Sequence, residues 1–235
     1  MKRVYKSVAA RPVEGGWGVT LDGRPLRTPA RRELQVPSAP LAAAIATEWD
    51  AQDPEIRPET MPLTRLAATA IDRTAEQRAD VAAEIASYAG TDLVCYRADH
   101  PAALAARQEA VWQPLIDWAA GRYDAGLAVT AGVVPLAQSP ASLRVYAAVV
   151  AALDDFRLTA LQAATNACGS LVIALALLEG RLDAESAFAA SQLDETFQIE
   201  AWGEDAEAAR RRAVLAADIE AATRFLDLLG RSRDN

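Results

Sequence analysis

The chain opens on a two-residue rhythm. Trp17, Val19 and Leu21 alternate with Gly18 and Thr20, so one face of a strand is apolar. Gly15-Gly16 and Asp22-Gly23 bracket that run, and both pairs accept the positive φ that a tight hairpin demands. Leu26 and Thr28 continue the pattern, and Leu34 and Val36 follow. With Val4 to Val8 they predict an antiparallel meander of about four strands.

The rhythm changes at Pro37-Ser38. Leu41, Ile45, Trp49 and Gln52 recur at helical spacing behind Ser38 as N-cap. A second short helix follows Pro62, with Leu63, Leu66 and Ala70 on one face, and is expected to pack on the sheet beside the first. From there the chain reads as helical almost throughout. Thr74 and Gln77 have the spacing of a capping box, ahead of Val81, Ile85 and Tyr88, and Gly90 is a natural stop. A short apolar link, Asp92 to Tyr96, leads to a helix opened by Pro101, with Leu104, Val111, Leu115 and Trp118 as its stripe. Pro114 is expected to kink or divide it. Ser139-Pro140 opens the next helix, whose buried face is Leu143, Tyr146, Val149, Val150 and Leu153.

Thr159 to Leu178 carries no charge and reads as one helix ending near Gly180. It is long enough to span a bilayer, but Gln162, Thr165, Asn166, Gly169 and Ser170 interrupt it, which favours the buried centre of a helical bundle over membrane insertion. Asp183 then caps a helix with Phe188, Gln192, Glu195 and Ile199 along one stripe. Glu204 and Asp205 sit where a helix start favours negative charge. Val214, Ala217, Ala221, Phe225 and Leu228 mark the apolar face of the last helix. Gly230 ends it, and Arg231 to Asn235 are expected to fray. The expected fold class is therefore α+β: a small N-terminal antiparallel-sheet domain over residues 1–75, then a larger all-helical domain over 76–235.

Composition narrows the chemistry. The 235 residues are 51% hydrophobic, enough for a real core in each domain, and the net charge of -8 repels nucleic-acid phosphates. Cys95 and Cys168 have neither metal nor disulfide spacing. His100 is the sole histidine, so a two-histidine metal site cannot be built in one chain. Phosphate-loop glycine spacings are absent. No cofactor is expected. Carboxylates are plentiful, which leaves a carboxylate-only enzyme open. The pair Asp194-Glu195, however, points about 100° apart on a helix rather than converging.

Some residues invite two readings. Trp49 aligns with Leu41 and Ile45 and so reads first as core. Asp72 and Asp92 read equally as caps, surface partners or functional groups. Glu195, Gln198 and Trp202 share one helix face. There Glu195 is either a surface carboxylate lying along an apolar stripe or an anchor at an interdomain cleft or partner surface.

Taken in order, the short motifs resemble one family. They run Leu21-Asp22-Gly23-Arg24-Pro25-Leu26 with Thr28-Pro29, Glu48-Trp49-Asp50-Ala51-Gln52, Met61-Pro62-Leu63-Thr64, and Thr91-Asp92-Leu93 with Cys95-Tyr96-Arg97. Gln108 with Trp112, Pro114, Leu115 and Trp118 follows, then Gly169-Ser170-Leu171, Asp194-Glu195 with Gln198, and Trp202-Gly203-Glu204-Asp205. Each is weak alone; the ordered set, from Tyr5 to Leu229, is specific. It resembles the assembly chaperones of the F-type ATP synthase α-subunit in mitochondria and their bacterial relatives.

The resemblance implies a chaperone without enzymatic activity or cofactor. It would bind the free α-subunit, shield its apolar β-facing surface and yield to the β-subunit. It implies Trp49, Glu195, Gln198 and Trp202, with Asp72 and Asp92, as client-binding or domain-interface residues. A monomer in the bacterial cytoplasm is expected, the eukaryotic relatives working in the mitochondrial matrix; a chain stripped of its import presequence is the other reading. The rival functions are a carboxylate-based enzyme acting in the interdomain cleft, a general holdase, and a peripheral membrane protein using Thr159 to Leu178.

Overall fold

The computed structural model describes residues 2–132 and 134–230; the terminal segment expected to fray lies outside them. By packing, these residues form two compact units. The first combines the described residues up to Arg78 with Asp154–Ala160 and the stretch from Arg224 onward. The second combines Ala79–Leu153 with Leu161–Thr223.

In the first unit, the glycine turns set the strand pairing. Strands β1 (Val8–Val13) and β2 (Gly16–Leu21) pair antiparallel from Val8 opposite Leu21 to Val13 opposite Gly16. The other edge of β2 is divided between β3 (Arg24–Pro25), with Thr20 opposite Pro25, and β4 (Gln35–Val36), with Trp17 opposite Val36. The four strands thus form an antiparallel sheet, but β3 and β4 follow one another along a single edge instead of extending a meander. The first strand also starts later than expected. Val4 is 89% exposed, while Asp22 at the second turn receives the backbone N–H groups of Lys6 and Ser7 and fixes the approach to β1.

Helix α1 (Ala39–Asp50) starts at Ser38, whose Oγ accepts the Leu41 N–H at 3.3 Å. It presses Leu41, Ala42 and Ile45 onto β1 and β2. Helix α2 (Pro62–Thr69) buries Leu63 and Ala67, packs on α1 and runs on into a π-helical turn, Ala70–Thr74. Thr74 is therefore no capping-box residue. It is fully buried, and its hydroxyl pairs with that of Thr159 at 2.7 Å. Phe156 and Phe225, from the two returning segments of this unit, stack with ring centroids 6.4 Å apart.

The second unit follows from helix α3 (Arg78–Ser87), most of which lies in it. Two-residue strands β5 (Tyr96–Arg97) and β6 (Thr130–Ala131) pair in parallel. Helix α4 (Ala102–Tyr123) lies between them in sequence and runs continuously through Pro114, so proline does not divide it. Its buried face is Leu104, Gln108, Trp112, Leu115, Ile116 and Ala119. Val111, expected inside, is 37% exposed, and Trp118, also placed on that stripe, is half-buried, while Trp112 is fully buried. Helix α5 (Pro140–Ala151), capped by Ser139, buries Ser142, Tyr146 and Val150 and leaves Leu143 and Val149 half-buried.

The uncharged run is two helices, α6 (Asp155–Cys168) and α7 (Leu171–Leu178). Gly169, at φ +65°, breaks the first, and Ser170 caps the second by accepting the Ile173 N–H at 3.0 Å. Every residue from Leu171 to Leu177 is fully buried, and α7 packs against α4 and α8 (Ala184–Ser191). This is why its pattern lacks periodicity: all faces are core. Among the described residues, no helix is long and apolar enough to cross a membrane.

The stripe from Phe188 to Ile199 is likewise two helices. Gln192 (φ -107°, ψ 21°) separates α8 from α9 (Leu193–Trp202). In α10 (Ala206–Leu229) the inward face is Ile219, Ala222, Thr223, Phe225 and Leu226; Val214, expected there, is 60% exposed.

Candidate functional site

In the first unit, the Glu48-to-Gln52 motif divides its labour by direction. Glu48 turns toward the start of α2, where its carboxylate accepts the N–H groups of Leu63 and Thr64, both at 2.8 Å, and the Thr64 hydroxyl at 2.6 Å. It caps a helix that has no side-chain cap of its own. Asp50 receives the Arg3 guanidinium at 3.1 Å. The Gln52 amide bonds to the Arg57 N–H at 2.7 Å and to Thr60 Oγ1 at 3.0 Å, closing the loop into α2.

Trp49 is half-buried, not core. Its ring lies 5.9 Å from that of Tyr5, whose hydroxyl donates to the Trp49 carbonyl at 2.7 Å. The indole N–H is buried without an acceptor, an arrangement that costs about 1–3 kcal/mol in a closed core. Trp49 also lines a groove of about 660 Å³, walled by Pro29, Leu34, Ile56, Pro58 and Met61. Asp72 lines the same groove, so the fold brings these two candidates together. Asp72 accepts the Thr28 hydroxyl at 2.7 Å and the Ala30 N–H at 3.0 Å, pinning the loop between β3 and β4 to the π-helical turn.

In the second unit, Asp92 is wholly buried. Its carboxylate receives the Ser170 hydroxyl at 2.5 Å, the Val172 N–H at 3.0 Å and the Val94 N–H at 3.3 Å. Two motifs distant in sequence, Thr91-Asp92-Leu93 and Gly169-Ser170-Leu171, are therefore one structure: an acid closing the start of the most buried helix. Burial outweighs the hydrogen bonds and lifts its carboxyl from the ordinary 3.8 to about 6. Burial also pushes the thiols of Cys95 and Cys168 up to about 12, which leaves them inert as nucleophiles. No group of three or more histidine, cysteine or acidic side chains among the described residues is placed to hold a metal ion.

A second network joins β5, α4 and α9. Arg97 donates to the Gln108 carbonyl at 2.6 Å and lies over the Trp112 ring at 5.3 Å. The Gln108 side chain accepts the Ala98 N–H at 2.7 Å and donates to Asp194 at 2.7 Å. Trp112 Nε1 donates to the Ala190 carbonyl at 2.8 Å, just ahead of α9. Gln108, Trp112 and Asp194 stand in the sequence motifs, but only a buried amide between two helices reveals them as anchors.

Asp194 turns inward, while its neighbour Glu195 is half-exposed with no hydrogen-bond or ion-pair partner among the described residues. Gln198 is exposed, and Trp202 at the end of α9 is 81% exposed. An indole so open to water is unusual for a residue type that buries well. Beyond it, Glu204 meets Arg212 at 3.3 Å and Asp205 caps α10 through the N–H groups of Glu207 and Ala208. Glu195, Gln198 and Trp202 thus form a face with little internal work, whereas Asp92 is taken up by the start of α7.

Comparison with known proteins agrees with this arrangement. The sequence model of the ATP12 chaperone protein family matches residues 2–120. The mitochondrial protein atp12 of Schizosaccharomyces pombe is 26% identical over 214 residues, covering 86% of this chain and 74% of that protein. The crystal structure of Atp12 from Paracoccus denitrificans superposes with a TM-score of 0.94 at 47% identity, over 97% of this chain and 98% of that one. A protein of Agrobacterium tumefaciens matches with a TM-score of 0.92 at 42% identity, over 97% of this chain and 86% of that one. With its ordered motifs housed in this fold, the chain belongs to the ATP12 chaperone family, the assembly chaperones of ATP synthase.

Proposed function

We propose that this protein is a non-enzymatic, monomeric chaperone of the bacterial cytoplasm. It binds the free α-subunit of F-type ATP synthase, covers that subunit's β-facing surface and gives way to the β-subunit. An unpaired subunit interface is an apolar aggregation hazard, and a dedicated cover removes it. The observation that carries the reading is the likeness to Paracoccus Atp12 over 97% of the chain. The client-binding role is assigned to Glu195, Gln198 and Trp202, whose side chains have no structural duty on α9. Among the described residues the one carboxylate lifted strongly by burial, Asp92, is enclosed and committed to helix capping, which weighs against a carboxylate enzyme.

Size-exclusion chromatography of the protein with separately expressed α- and β-subunits tests this. A complex with α alone, dissolved by added β and weakened by Glu195→Lys, is the expected result. A folded, soluble α-subunit that never co-elutes overturns the reading. Equal binding to unrelated denatured proteins replaces it with a general holdase.

A further inference from the structure

The first unit carries a groove of its own, and the inference drawn from it rests on the chaperone reading. Its walls are apolar: Trp49 from α1, Met61 and Ala68 from around α2, and Leu34, Ile56 and Pro58 from the intervening loops. Its volume, about 660 Å³, accommodates a few side chains rather than a single methyl group. Among the described residues the charged groups that line it are three arginines, Arg27, Arg65 and Arg73, against the single carboxylate of Asp72. That carboxylate is engaged by the Thr28 hydroxyl and the Ala30 N–H. Arg27 leans on the exposed Glu33 at 3.7 Å, and Arg73 has no ion-pair partner among the described residues. In a chain whose net charge is -8, this is a locally basic rim around an apolar trough.

We infer that the groove docks a segment of the client polypeptide in which one or two large apolar side chains are flanked by aspartate or glutamate. The apolar side chains fill the trough beside Trp49, and the flanking carboxylates meet the guanidinium groups, which recognise them by paired hydrogen bonds. Nucleic acid is a poorer occupant, because the trough is apolar and the chain as a whole repels phosphate.

Two variants of the full chain test this: Arg73→Glu, which reverses an exposed rim charge, and Ala68→Arg, which fills the trough. Affinity for the purified α-subunit is measured for each by titration, with circular dichroism to confirm folding, at two salt concentrations. The expected result is a loss of about tenfold for each variant, with the Arg73→Glu loss shrinking at high salt. Overlapping fluorescein-labelled peptides of the α-subunit, followed by anisotropy, should bind the parent where acidic and apolar residues adjoin. They should bind Arg73→Glu better when their carboxylates are replaced by lysine. If α binds the parent and both folded variants equally, the groove inference is wrong while the chaperone reading stands. If α does not bind the parent at all, both fail together.

Discussion

The hydroxyl of Ser170 donates to the carboxylate of Asp92 at 2.5 Å, joining positions 78 residues apart within the second unit. The same carboxylate holds the first turn of α7 through the Val172 N–H. Its burial sets a definite pH dependence. The folded-state value, about 6, lies above the ordinary 3.8. Between those values the native protein holds a proton that the unfolded chain has released, so this group's contribution to stability falls as pH rises through the window and stays low above it. The loss is about 3 kcal/mol across the window. Urea melts at pH 4.5 and pH 7 should show Asp92→Asn with a flatter dependence than the parent; parallel curves would show that Asp92 does not titrate there.

Removal of the Glu48 carboxylate leaves the Leu63 and Thr64 N–H groups at the start of α2 without their acceptor. Glu48→Ala should therefore cost about 1–2 kcal/mol in a denaturant melt, the range of a lost helix cap. A change below about 0.3 kcal/mol would mean that water replaces the carboxylate at no penalty.

Gly169 breaks the uncharged run at φ +65°, and a Cβ added there meets nothing within 4 Å. Gly169→Ala should then show the backbone cost alone, about 1 kcal/mol. A much larger loss of thermal stability would point to packing that shifts with the backbone.

Trp202→Ala and Glu195→Lys should leave the melting curve within about 0.5 kcal/mol of the parent, because neither side chain is packed in the core. On α-subunit binding, by contrast, Trp202→Ala should cost about 2 kcal/mol, as an aromatic anchor does. Parallel losses in stability and binding would reassign both residues to the fold.

The 3.6-residue period disclosed α1 and α2, because each has one wet face and one dry face. The strands were marked by their glycine turns, whereas the two-residue alternation did not separate faces in β2, where Gly18 and Thr20 are buried and Trp17 and Leu21 are half-buried. Periodicity failed at α7, which is buried on every side, so that the break at Gly169-Ser170 vanished into an apolar run. It failed again at Gln192, where the apolar stripe of α8 continues onto α9 across a non-helical residue. Trp112 and Trp118 are six residues apart on α4, and composition alone could not say which faces inward. Asp92 carried the right residue type for a cap, but its partner lies at Ser170, and only the tertiary structure supplies that distance. The exposure of Trp202 is also invisible to periodicity, since an indole at helical spacing resembles core.

Asp194 and Glu195 are adjacent on α9, yet one is tied to Gln108 and the other is untied. The setting of the helix is thus held by a half-buried carboxylate bonded to Gln108 on α4. Substitutions at Glu195, Gln198 or Trp202 leave that hydrogen bond intact. A substitution at Asp194 removes it, and so bears on the setting of all three side chains together.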